Sequence, residues 1–430
     1  MIEKTSENMK KAPKPMRLLL IALFLIAILT SSVFLWVTEF SFERNLSGQA
    51  TDTVGEIVEN YAPIPGYGLE PPTPVISPIA AGNALSMVIT EDGSLWAWGW
   101  NNNGQLGDGT DIDRYYPVKI MSDMVAVSLN VGDIPLSGRS NTLVAALASD
   151  GTLFTWGTDI REMDYGLGFF PDLLFTGLLS SPLEVMNNVS DFSAGNGRIL
   201  AITSDGTLWG WGTSVPTDGG LSHQPAPVQV MSDVISVSAG GMASKSILSD
   251  NTLWGWGSNR FGQISMNNQN LSYSTPVEIM DDVVNIVTGT SRNFAITSDG
   301  TLWGWGSNAN GRLGDGTNET RYYPIRMLSD VLSVSAGLEH TMAITSDGIL
   351  WGWGYNRSGQ LGDGTTENRL SPIRIKDDVV YVSAGAAHTL AVTSDGALWA
   401  WGSTRLNLPD RDIAQNQMYP VRVMDGILLP

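Results

Sequence analysis

The 430 residues predict an all-β chain, a seven-bladed β-propeller of four-stranded antiparallel blades, preceded by one N-terminal transmembrane helix. Three observations carry that expectation. A string of the form S-D-G-T-L-W-G-W-G occurs seven times, with its acid at Asp92, Asp150, Asp205, Asp250, Asp299, Asp347 and Asp395. Of the 15 Trp, 13 fall inside this string, and 47 Gly accompany them. Finally, Leu18 to Val37 is an unbroken stretch of twenty residues without a charge.

The elements follow in chain order. Residues 1–17 form a basic tail, with Lys4, Lys10, Lys11, Lys14 and Arg17 against Glu3 and Glu7. Residues 18–37, wound as a helix, span about 30 Å, the hydrocarbon thickness of a bilayer. The acidic stretch that follows, with Glu39, Glu43, Asp52, Glu56 and Glu59, places the N-terminus in the cytoplasm and the remainder outside. A cleaved signal peptide is the rival reading. Its apolar core is usually shorter and ends at small residues, whereas Trp36, Glu39 and Phe40 stand here. A signal anchor is therefore favoured, and cleavage would make the protein secreted. Residues 38–75, with Pro63, Pro65, Pro71, Pro72 and Pro74, read as a semi-rigid tether.

Residues 76–430 hold the repeats, about 51 residues each, a spacing that suits propeller blades. Each unit runs V-S-A-G, A-I-T, S-D-G, T-L-W-G-W-G, a loop, then P-V-x-V, which makes four short strands. Asp-Gly between β-prone runs is a hairpin signal. Apolar residues on both faces of so small a sheet require stacking on neighbours. Glycines between the Trp residues are expected to leave room for neighbouring rings. Asn251 replaces the turn Gly in copy four, and Asn130 the Gly of V-S-A-G in copy two. Both substitutions suggest left-handed backbone, which Asn tolerates. Which strand closes the ring is left open.

The stretch G-L-E-H-T-M-A-I-T-S-D-G-I-L-W-G-W-G-Y-N-R-S-G-Q-L-G-D-G-T, residues 337–365, resembles the repeat of the regulator of chromosome condensation family. The resemblance covers residues 76–430 and implies a seven-bladed platform that binds other proteins, with no shared catalysis. Members include a nuclear guanine-nucleotide exchange factor and a secreted bacterial inhibitor of β-lactamases; this chain reads as a bacterial, membrane-anchored one. It departs from the nuclear members in charge, with 35 acidic and 18 basic residues in the repeats. That balance disfavours nucleic acid as a partner.

Candidate chemistry is sparse. There is no Cys and there are three His, so thiolate sites are excluded. No nucleophile elbow, phosphate loop or zinc motif occurs, and an enzyme is not expected. His340 and His388 read as blade-edge hydrogen-bonding residues. The seven turn Asp residues are expected to bond their own hairpins. Asp108, Asp111 and Asp113 could contribute oxygen ligands to calcium, although their spacing lacks a full ligand set; no other cofactor is implied.

Asymmetry supplies the functional lead. In copy two both loops on one rim are enlarged. One holds Asp133 and Arg139, the other Phe169, Phe170, Leu173, Leu174 and Phe175. These residues suit a contact with a protein or peptide outside the cytoplasm, as scaffold, sensor or inhibitor of an envelope protein. Folding back onto a blade is the competing role for the aromatics. A glycan-binding or carbohydrate-active wall protein is the alternative, and a nucleotide-exchange factor a distant one.

Overall fold

The computed structural model describes residues 77–130, 142–158, 178–217, 220–264, 270–403 and 416–429, and the backbone alone of 163–164 and 174–175. The tail, membrane helix and tether expected over 1–75 lie outside these residues.

Seven four-stranded antiparallel sheets follow one another, spanning residues 79–121, 124–186, 189–231, 234–280, 283–328, 331–376 and 379–424. Each sheet takes its strands in sequence order from the axis outward. The V-S-A-G segment is innermost, A-I-T second, L-W-G-W-G third, and P-V-x-V outermost. Every blade is thus one contiguous segment, and no strand is exchanged to close the ring. Instead, blade seven meets blade one directly. Ala386 donates to the Gly82 carbonyl at 3.0 Å, and Ala81 to Ser383 Oγ at 2.9 Å. Ile427 then bridges Thr90, and Leu428 donates to the Ile89 carbonyl at 3.0 Å.

The core lies in the seams between blades. The second Trp of each pair, such as Trp98, Trp256 and Trp353, is fully buried, whereas the first is half-buried. Trp156 packs among Leu85, Met87 and Ile89 of the preceding blade, and Trp353 among Phe294, Ile296 and Leu302. The glycines between paired Trp residues serve a different purpose from the one expected. A methyl at Gly304 would press on Phe294 and Met327, and one at Gly352 on Met342 and Ile375. The room is for flanking strands of the same blade, not for neighbouring indoles.

Asn251 sits at φ 65°, as its place in the hairpin requires. Asn130 does not adopt left-handed backbone, nor do the glycines aligned with it, so that expectation is corrected. Gly there meets close approach around the axis: a Cβ on Gly337 would lie 2.4 Å from the Gly385 carbonyl oxygen.

Polar bonds across the seams explain why the repeats keep residues that have no place in an apolar core. Ser128, Ser193, Ser238, Ser335 and Ser383 each accept a backbone N–H from the next blade at 2.9–3.2 Å. Replacing Ser335 by Ala strands the Ala384 N–H and is expected to cost about 1–2 kcal/mol. A urea midpoint equal to that of the parent chain would show that the bond contributes nothing.

The G-Q-L-G-D-G-T loops are latches of the same kind. Inside one loop Asn356 donates to Asp363 Oδ1 at 2.9 Å and accepts from Leu361 N, while Arg369 Nε reaches Asp363 Oδ2 at 2.8 Å. The loop carbonyl then receives the next blade's indole: Trp156 on Gln105 at 3.0 Å, Trp353 on Arg312 at 3.1 Å. Copy four retains only Gly262 and Gln263 of the motif, and Trp305 still donates to the Gln263 carbonyl at 3.0 Å.

Candidate interaction surface

An up-and-down blade puts its connections alternately on two rims, and these differ in chemistry. One rim carries the S-D-G hairpins and the turns between blades. All seven hairpin Asp residues accept the N–H two residues on, as expected. Hydroxyl groups, Thr90 on Asp92 and Thr252 on Asp250 among them, hold these carboxyls below their usual range, Asp92 at about 2. They therefore stay charged. A second acidic set was not foreseen from the sequence. Asp123, Asp233, Asp282, Asp330 and Asp378 occupy the turns between blades at φ 59–64°, with Asn188 and Gly426 in the remaining two. The recurrent S-D or D-D before five of the seven innermost strands was the available signal, since Asp and Asn tolerate that backbone better than most residues.

The opposite rim carries the long loops. Among the described residues twelve large apolar or aromatic side chains are exposed, and eleven of them lie on this rim. Tyr115, Tyr116, Tyr322, Tyr323 and Tyr419 stand where outermost strands begin; Ile112, Met242 and Phe261 stand on the loops. Leu332 is the exception, at the start of an innermost strand. The chain joins blade one on the hairpin rim, where Ser77 lies at the mouth of the axis, and it also leaves there through Gly426 and Ile427. The loop rim is thus left clear of both described ends.

Of the contact residues expected in copy two, Asp133, Arg139, Phe169, Phe170 and Leu173 lie outside the described residues. Leu174 and Phe175 form a short strand paired with Met163–Asp164, separate from the blade's own sheet.

The calcium reading is corrected. Burial works against ionisation of Asp108, but hydrogen bonds from Thr110 and Arg114 outweigh it and lower its pKa. Its two oxygens are taken by Thr110, Asn101 and Arg114, the last at 2.6 Å, while Asp113 accepts from the Asn101 N–H. Among the described residues no group of three acids or histidines is placed to hold a metal ion.

His340 and His388 each begin a strand and make hydrogen bonds as expected, from positions buried between blades. His340 Nε2 lies 2.9 Å from Thr389 Oγ1, and His388 Nε2 lies 3.2 Å from Ser86 Oγ. Thr389 spends its own proton on the Gln360 carbonyl, so His340 must donate through Nε2. Arg198 and Arg292 hold the same position in blades three and five and reach the next blade's carbonyls, at 2.9 Å to Gly240 and 2.8 Å to His340. Burial, with Arg292 adding to it, pushes His340 down to about 3; burial pushes His388 down to about 4.

Two cavities of about 250 and 190 Å³, with Val127, Ser193 and Ser333 lining both, occupy the axis. Asp191, missed in the sequence, stands in the smaller one, 9% exposed. Its Oδ1 accepts the Phe192 N–H at 2.8 Å and its Oδ2 that of Val237 in the next blade at 3.3 Å. Burial drives its carboxyl up to about 7. The signal was a lone Asp in V-S-D-F-S-A-G.

Comparison with known proteins agrees with this architecture. The RCC1-like domain matches residues 177–427, and the regulator of chromosome condensation (RCC1) repeat matches 92–133 and 76–105. The ultraviolet-B receptor UVR8 of Arabidopsis thaliana is 32% identical over 146 residues, which is 32% of this chain and 29% of the receptor. Protein RCC2 of Mus musculus is 31% identical over 143 residues, 33% of this chain and 25% of RCC2. The matches thus span less than a third of these relatives. Among solved structures, Prp20p of Saccharomyces cerevisiae, described with its binding to Gsp1p and histones, superposes with a TM-score of 0.62 at 19% identity, covering 81% of this chain and 88% of that one. Human WBSCR16 gives 0.61 at 20% identity, covering 77% and 92%. With a single model spanning more than half of its length, the chain belongs to the RCC1-like domain family.

Proposed function

We propose that this protein is a membrane-tethered interaction platform whose propeller stands outside the cytoplasm and binds a protein or peptide through its loop rim. One observation carries the proposal. Exposed apolar and aromatic side chains gather on the loop rim, while the opposite rim is a field of ionised carboxylates. Exposed aromatics with an apolar body and a polar tip are what protein contact surfaces select. The enlarged second-blade loops belong to the same rim, and relatives such as Prp20p use this fold to bind proteins. The basic tail and the uncharged run at 18–37 support the tether and its orientation. The carbohydrate alternative needs two convergent carboxylates at the axis; among the described residues lining it, Asp191 is the single acid.

A photo-crosslinking amino acid at Tyr116, Tyr323 or Tyr419 is expected to capture a partner in intact cells. The same group at Asp150 or Asp250 is expected to capture none. Adducts confined to the hairpin rim would overturn the assignment of the face. Resistance of the propeller to protease added outside intact cells, with digestion after lysis, would overturn its placement.

A further inference from the structure

The seven blades repeat closely along their innermost strands, except at one position. The residue just before the V-S-A-G segment is Pro78, Ala126, Asp191, Ser236, Asn285, Ser333 and Tyr381 in blades one to seven. The variation is ordered. Blades three to six carry polar residues there, Asp191, Ser236, Asn285 and Ser333, all of which line the smaller cavity, whereas blade two carries Ala126. Two residues further along, five of seven blades keep Ser for the seam bond described above, so packing alone does not call for such variety. All of these residues but Pro78 line one or both of the two cavities.

We propose that this axial channel binds a linear aliphatic polyamine, with one ammonium group on Asp191 and its methylenes along Val127, Val287 and Val334, which line both cavities. The carboxylate accepts two backbone N–H groups and faces the Ser236 hydroxyl, and a carboxylate has about four acceptor positions. It can therefore still take an ammonium donor. Asn285 and Ser333 offer further acceptors beside it. Deeper in, Thr288 lines the larger cavity with its hydroxyl buried and unpartnered, which suits a second amine. The seven hairpin carboxylates on the rim at the Asp191 end of the axis attract cations. A thin, multiply charged chain with apolar spacers meets all three features; an anion or a flat aromatic meets none.

Burial holds the Asp191 carboxyl near 7, so a bound ammonium must displace its proton. Affinity should then rise about tenfold between pH 6 and pH 8.

The test is titration calorimetry of the full-length chain with spermidine and with putrescine at physiological salt. One saturable site is expected, weakened at least tenfold by Asp191→Asn, on the scale of a lost charged hydrogen bond. Ala126→Tyr should block it as well. Ala126 is buried in the seam core, so this variant is read only where its urea midpoint stays close to that of the parent chain. Absence of saturable binding would overturn the proposal. So would several weak sites indifferent to both variants and to pH, because the amines would then be counter-ions of the acidic rim. The pH series on the unaltered chain decides the matter even if a variant fails to fold.

Discussion

Trp353→Ala is expected to remove about 3–5 kcal/mol from the stability of the ring, the range for truncating a fully buried Trp. Three contacts are lost together. The indole is fully buried in the seam between blades five and six and lies edge-on to Phe294, with ring centroids 6.2 Å apart at 74°. Its N–H donates to the Arg312 carbonyl at 3.1 Å. The latch loop is shaped around it, since a Cβ on Gly314 would come within 2.7 Å of the indole nitrogen. Trp353→Phe keeps most of the apolar volume and loses the donor, so about 1–2 kcal/mol is expected. Trp351→Ala, at a half-buried position, should cost less than Trp353→Ala. Urea denaturation checks the order of the three. Equal losses for Trp351→Ala and Trp353→Ala would contradict the assignment of the second Trp as the seam residue.

Acid should open the ring at blade seven first. His340 and His388 grip that blade on both sides, and both are neutral when folded. Their folded pKa values, about 3 and about 4, lie below the unfolded value near 6.5. The unfolded chain therefore binds protons that the folded chain refuses. Stability is full above pH 6.5 and falls as pH drops through the interval to 4 and then 3. By pH 4 each histidine contributes a loss of roughly 3 kcal/mol. Together they approach the whole stability of a typical domain. Protonation would fall on His340 Nδ1, which is buried against Gly337 with no acceptor beside it. Exchange of backbone amides followed from pH 7 to pH 4 should therefore rise first in residues 379–424. A double variant with Gln at both positions should flatten that dependence. Uniform loss of protection in all seven blades would refute the order.

Much of this architecture was legible because the repeat restates its requirements seven times. The Asp-Gly hairpins, the number of strands and the boundaries of the blades all follow from local patterning. The seams were harder to read. Ser335 and Ala384 are forty-nine residues apart, and nothing in either segment announces that one bonds the other. His340 and Arg292 share a position without sharing chemistry, so their common task, bracing the next blade, emerges only when blades are neighbours. Asn130 shows the opposite error: Gly at that position suggested a backbone twist, whereas close approach across the axis explains it. The chemistry of the loop rim was readable in part. Enlarged loops in copy two stood out by length, whereas the tyrosines of the outer strands look like ordinary strand residues until their exposure is known.

Because every blade is a contiguous segment and the first and last meet edge to edge, the order in which the chain visits them is arbitrary for the ring. A circular permutant that joins Pro430 to Ser77 by a short linker and starts at Val234, just after the Asp233 turn, should fold to the same circle of blades. Evolution or engineering could therefore move the point of attachment to another blade and rotate the loop rim's features about the axis relative to whatever holds the protein, without altering a single seam.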